Sequence, residues 1–315
     1  MEVAPITHEN HVLRKATMAD QRISEAEQFF HLAPGEFPFR SRFLEAGGGR
    51  LHYVDEGSGP LLFMLHGNPT WSFVYRHLIT ALQDQFRCIA VDLAGFGLSD
   101  PPAGFGYRPD EHAGLIARLL ETLDLHDATL VAHDWGGPIG LAAMLQTRER
   151  ITRLCLGNSW AWPVNGDFHF EWFSKLMGGP VGRFGADRFA LFVNGVMPAA
   201  MRRRKLSQAE MRAYRAPFSG NRTRRPMHVF PRQITAAKNW LGELEAGLSA
   251  FRGPVHFIWP NNDIAFRDKE LKHWLKIFPQ ASVARLPRCG HYLWEDAPDE
   301  CIAELRGFMA AEAVA

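Results

Sequence analysis

No run of apolar residues in this 315-residue sequence approaches the ~20 needed to cross a bilayer, which argues against a transmembrane helix. Charge of one sign is missing too: 35 lysines and arginines stand against 34 aspartates and glutamates, a net of +1. That balance offers no global hint of nucleic acid or a membrane surface, and neither partner is expected. Cysteine is scarce. Cys88, Cys155, Cys289 and Cys301 lie far apart with no C-x-x-C pair, so reduced thiols are expected rather than a disulfide framework. H-E-x-x-H and a Gly-rich phosphate loop are also lacking, and no metal and no organic cofactor are expected. The N-terminal MEVAPITHEN has no basic region leading into an apolar one, which predicts a cytoplasmic protein over a secreted one.

What is present is a rhythm of short apolar runs closed by glycine or a turn. PLLFMLHG (60–67), RCIAVDLAGFG (87–97), ATLVAHDWGG (128–137), FRGPVHFIWPNND (251–263) and ASVARLPRCGH (281–291) read as buried parallel strands. FRSRFLEAGGG and RLHYVDEGSG before them read as a hairpin. Strands alternating with helical stretches predict an α/β fold, a mostly parallel sheet flanked by helices, with its site at the carboxyl ends of the strands. From about 158 to 230 the rhythm breaks into a segment dense in aromatics and then in arginine, read as a helical cap inserted after the sixth strand. The expected division is an N-terminal lead-in at 1–35, with one amphipathic helix near 23–33, a core of 36–157 and 231–315, and a cap of 158–230.

The stretch VAHDWGGPIG (131–140) runs from a strand end through a tight turn into a helix. Such a turn exposes one side chain at the top of the sheet, usually serine or cysteine; here it is Asp134, followed by Trp135. The match to G-x-nucleophile-x-G is partial, with Ala132 at the first position and Gly136 at the last. Asp134 also suits a helix N-cap, so the motif alone leaves both readings open. An aspartate nucleophile forms an ester and needs a base to hydrolyse it. His291, in RCGHYLWED after the last strand, stands where that base belongs, and Asp263, ending PVHFIWPNND, is placed to hold its other nitrogen. Singly, His291 fits a loop histidine and Asp263 a turn residue. Together they give the order nucleophile, acid, base of the α/β-hydrolase fold.

On these residues the chain resembles the haloalkane dehalogenases of the α/β-hydrolase superfamily over roughly 36–305. HGNPTWSFVYR (66–76), DLAGFGLSD (92–100), AHDWGGPIG (132–140), IWPNND (258–263) and CGHYLWE (289–295) carry the likeness. The resemblance implies a two-step reaction on a small apolar halogenated substrate, giving alcohol and halide. Asp134 displaces the halide to form an alkyl ester, which water activated by His291 then hydrolyses. It implies that the side-chain N–H groups of Asn68 and Trp135 cradle the halide, and that their backbone N–H groups form an oxyanion hole. One variant of the family draws its acid from a glutamate after the sixth strand. LGNSWAWP offers Asn158 there, which leaves Asp263 without a rival. Another takes a cap tryptophan as halide donor, a part that Trp160 or Trp162 is placed to mimic.

Epoxide hydrolases share the aspartate nucleophile but protonate an alkoxide leaving group from two cap tyrosines. Of the five tyrosines here, only Tyr214 falls in the cap, and a halide needs no proton. Fluoroacetate dehalogenases place arginine after the nucleophile, which Trp135 does not provide. A non-catalytic binding protein on the same fold remains the alternative from another class. The basic stretch 201–225, with Glu210 as its lone acid, reads first as a solvated cap face, and a homo-oligomer is left open.

Overall fold

Each of those glycine-bounded apolar runs forms a strand in the computed structural model, which describes residues 23–312 except 148 and 221–223. The strands are β1 (Arg42–Ala46), β2 (Gly49–Glu56), β3 (Leu61–Leu65), β4 (Arg87–Val91), β5 (Ala128–His133), β6 (Ile151–Gly157), β7 (Val255–Pro260) and β8 (Ser282–Leu286). They make one eight-stranded sheet in the order β1-β2-β4-β3-β5-β6-β7-β8. The β1–β2 and β2–β4 pairings are antiparallel and all later ones parallel. β3, β5 and β7 are buried along their whole length, as strands covered on both faces must be. Helices pack in two groups: Pro109–Thr122 and Lys238–Leu248 each against Gly136–Thr147, and Arg76–Leu82 against Pro298–Glu312.

The order jumps outward from β3 in both directions, so the chain reverses its winding beside β3 and β5, and ligand sites in open sheets form at such a crevice. Between β6 and β7 lie the helices Phe168–Gly178, Pro180–Phe189, Met197–Ala200, Gln208–Arg215 and Arg225–Ala236. The last of these passes through residue 230 and packs on Phe168–Gly178, whereas Lys238–Leu248 packs on Gly136–Thr147. A cap boundary drawn at 230 therefore falls inside a helix. The lead-in contributes the short helix Glu25–Phe30, capped by Ser24 in a capping box with Glu27; residues 1–22 of the expected extension lie outside the described residues. All four cysteines are free and buried.

Candidate active site

The turn after β5 carries Asp134 at φ 50°, a left-handed conformation that aspartate tolerates better than most residues but that still costs about 1–3 kcal/mol. Close packing around the turn holds it there. A Cβ on Gly136 would lie 2.1 Å from the Leu65 carbonyl, and one on Gly67 would lie 2.3 Å from Oδ1 of Asp134 itself. Both glycines are therefore required by close approach. The Asp134 amide donates to the Asn158 carbonyl (2.9 Å), and the Ser159 hydroxyl donates to the Asp134 carbonyl (2.8 Å). The end of β6 thus clamps the backbone that bears the carboxylate.

The sheet brings the three residues expected as nucleophile, acid and base together. His291 donates from Nδ1 to Oδ2 of Asp263 at 2.8 Å, and its Nε2 stands 3.6 Å from Oδ2 of Asp134. The Asp263 side chain is fully buried, and its carboxylate also accepts from the Ala265 amide (2.6 Å) and from the side-chain amide of Asn158. Asn158, which the sequence marks only as the lack of a competing acid, thus holds the Asp263 carboxylate in place. Burial works against a charged imidazole at His291, but the Asp263 charge and then the neighbouring Asp134 override it and raise the pKa to about 10. The neighbouring His133 has the reverse outcome: burial and the His291 charge push it down to about 3, so this ring is neutral.

Asn68, at the end of β3, approaches Asp134 from the other side. Its amide N–H donates to Oδ1 of Asp134 at 2.7 Å, as an oxyanion-hole donor should. The Trp135 amide, expected as the second donor, makes no hydrogen bond among the described residues. The side chains of Asn68 and Trp135 likewise have no hydrogen-bond partner within the described protein, and both line a cavity of about 250 Å³ over Asp134 and His291. Its other walls are mostly apolar, among them Phe170, Phe173, Phe192 and Ile234 from the cap and Phe266 after β7. Phe192 and Val196 face it from a single π-helical turn, Phe192–Val196.

Trp160 also lines the cavity, edge-on to Trp135, but its indole nitrogen is buried without a partner; Trp162 instead stacks on His273 and does not reach the cavity. His169, N-terminal in the helix Phe168–Gly178, is a polar wall residue that no motif announced. A wider surface groove of about 1280 Å³ passes Arg50, Arg108 and Arg232 and holds none of these groups.

Among the described residues, most arginines of the basic segment, Arg202, Arg212, Arg215 and Arg225 among them, are exposed, as a solvated face should be, but Arg204 is folded inward. Arg204 pairs with Glu210 and Glu295, Arg76 pairs with the same two acids, and the Tyr214 hydroxyl donates to Glu295. Glu210, Glu295 and His77 lie close enough to suggest a cation site, but both carboxylates are already taken by guanidinium groups. The cluster bolts the cap segment 204–214 to the short core helix Leu293–Asp296 that follows His291.

A family model described as alpha/beta hydrolase fold matches residues 60–298. Haloalkane dehalogenase 2 of Mycobacterium tuberculosis is 41% identical over 275 residues, covering 86% of this chain and 96% of that protein. A cis-3-alkyl-4-alkyloxetan-2-one decarboxylase of Shewanella oneidensis is 34% identical, over 86% of this chain and 89% of its own. Among solved structures, the haloalkane dehalogenase DbeA of Bradyrhizobium elkani superposes with a TM-score of 0.80 at 27% identity, over 88% of this chain and 100% of that one. The chain belongs to the haloalkane dehalogenase family of the α/β-hydrolase fold.

Proposed function

We propose that the protein hydrolyses carbon–halogen bonds in small uncharged halocarbons. One observation carries the reading: the Asp134 carboxylate and the uncommitted side-chain N–H groups of Asn68 and Trp135 meet in one largely apolar cavity. In this reading an Asp134 oxygen attacks the halogen-bearing carbon from the side opposite the halogen, a carbon–oxygen bond forms, and the carbon–halogen bond breaks, its electron pair leaving with the halogen as halide. Asn68 and Trp135 offer it N–H groups, whose attraction grows as charge builds on the leaving atom. His291 then takes a proton from water, which attacks the ester carbonyl carbon. The charge developing on the carbonyl oxygen is met by the Asn68 amide, and Asp263 stabilises the imidazolium. Collapse releases the alcohol and restores the carboxylate. Residues 158–230, with the remainder of the helix that crosses 230, form the lid that keeps water out of the first step.

Two rivals make different demands. Epoxide opening needs phenolic donors over the cavity, but the cap's Tyr214 is buried with its hydroxyl on Glu295. The oxetanone decarboxylases among the relatives act, by name, on rings bearing two alkyl chains. A cavity of about 250 Å³ lies below the usual ~300–1,000 Å³ range of pockets for drug-sized ligands, which favours the smaller halocarbon. Halide release from a panel of brominated and chlorinated alkanes, run beside a dialkyl oxetanone, tests the proposal. Release of halide from short bromoalkanes is expected; no release from any of the panel would sink it.

A further inference from the structure

The acidic side chain five residues after the catalytic histidine sits at a junction that the reaction itself does not explain. Asp296, 5% exposed, ends the short helix Leu293–Asp296. Its carboxylate accepts four backbone amides from two separate segments. From the loop bearing His291 comes Gly290 N–H, at 2.7 Å from Oδ2. From the strap leaving the cap come Arg202 N–H at 3.0 Å from Oδ2, and Arg203 and Arg204 N–H at 2.8 and 3.2 Å from Oδ1. Beside this knot the His291 amide donates to the Ala200 carbonyl at 3.0 Å, and the Arg203 guanidinium donates to the Pro287 carbonyl at 2.9 Å. The contact is tight: a Cβ on Gly290 would lie 2.1 Å from that Ala200 carbonyl. Strap and histidine loop are thus laced together along their length, and Ala200 also lines the cavity.

Hydrogen bonds to an ionised acceptor are roughly twice as strong as neutral ones, and four amides aimed at one buried carboxylate leave it little freedom. The loop from Pro287 to His291 has no regular secondary structure of its own to hold the imidazole in place. We propose that Asp296 is a positioning residue for His291, fastening the histidine loop to the strap 200–204, so that ester hydrolysis depends on it and halide displacement does not. This rests on the two-step reading above. Displacement uses Asp134, Asn68 and Trp135, none of which touches the knot. Hydrolysis needs Nε2 of His291 within hydrogen-bond reach of a water beside the ester carbon, and a misplacement of ~1 Å costs on the order of 100-fold.

The test is a rapid-quench comparison of wild type, Asp296→Ala and Asp296→Asn with 1-bromobutane, following bromide release and the alkyl-enzyme mass separately. Both variants are expected to release one bromide per site at a rate within about twofold of wild type. They should then hydrolyse the ester roughly 10–100-fold more slowly, with the butyl adduct accumulating. If Asp296→Ala does not fold, Asp296→Asn keeps the shape and one accepting oxygen and is read in the same way. Equal slowing of both steps, or wild-type hydrolysis in a folded variant, overturns the proposal. Absence of bromide from wild type itself would instead overturn the dehalogenase reading.

Discussion

Nε2 of His291 stands 3.6 Å from Oδ2 of Asp134, an ion-pair distance too long for a good hydrogen bond. The ring lies between two carboxylates, which outweigh its burial and hold its pKa near 10. At neutral pH the resting imidazole therefore carries a proton and is no base. Ester formation removes the charge of Asp134, and with it one of the two reasons for the raised pKa. In the proposed reaction, the first chemical step thereby releases the base for the second.

Replacing Asp134 by Asn mimics the uncharged ester. The His291 pKa should fall below its wild-type value of about 10, as read from an NMR titration of the ring; an unchanged pKa would refute the charge switch. The sign for stability follows from the same shift. A folded pKa raised above 6.5 contributes stability that is complete below pH 6.5 and lost as the pH rises through about 10. Wild type should lose melting temperature across that window, and His291→Phe should lose less.

His291→Phe removes the base and leaves the displacement machinery in place. One halide per site should appear, followed by a stall with the alkyl group attached to Asp134. Intact-mass spectrometry before and after substrate checks this, and sustained turnover would dismiss His291 as the base.

Asp134, Asp263 and His291 were legible because ester chemistry demands those residue types at strand ends in that order, and apolar runs closed by turns locate strand ends well. Asn68 and Trp135 became legible through the family likeness. The knot at Asp296 was not, because it joins amides about ninety positions away that have no side-chain signature. MRRRK read as a solvated face since charge runs usually are; only the fold reveals that its backbone amides point inward at Asp296 and that Arg204 reaches Glu295. His169 was equally silent, as no spacing rule distinguishes one cap residue facing a cavity from its neighbours facing water. The cap boundary expected at 230 falls inside the helix Arg225–Ala236, which runs through Pro231 because its tertiary packing outweighs the proline's local preference.

Trp135→Phe and Asn68→Ala each delete one side-chain N–H donor group from the cavity and leave the backbone amides intact. Loss of a single donor of this kind typically costs on the order of 3 kcal/mol, about 100-fold in rate. The burst rate of bromide release should fall by about that factor in each variant, with ester hydrolysis nearly unchanged. A normal burst in both would mean that the halide leaves elsewhere.

The cap anchor gives a prediction at acid pH. Burial would raise the Glu210 pKa, but the Arg204 hydrogen bond, the Ser207 amide and the charges of Arg204 and Arg76 bring it down to about 2. A depressed carboxylate contributes stability that is complete above its unfolded value of 4.5 and lost as pH falls through about 2. Glu210 lies on the cap, and two of its partners, Arg76 and Arg204, also grip the core residue Glu295. Losing its charge should therefore loosen the cap before the sheet unfolds. Glu210→Gln at neutral pH should reproduce part of that loosening, with faster amide hydrogen exchange in Gln208–Arg215 and little change in β3 and β5. Uniform exchange across cap and sheet would show that the anchor serves global stability instead.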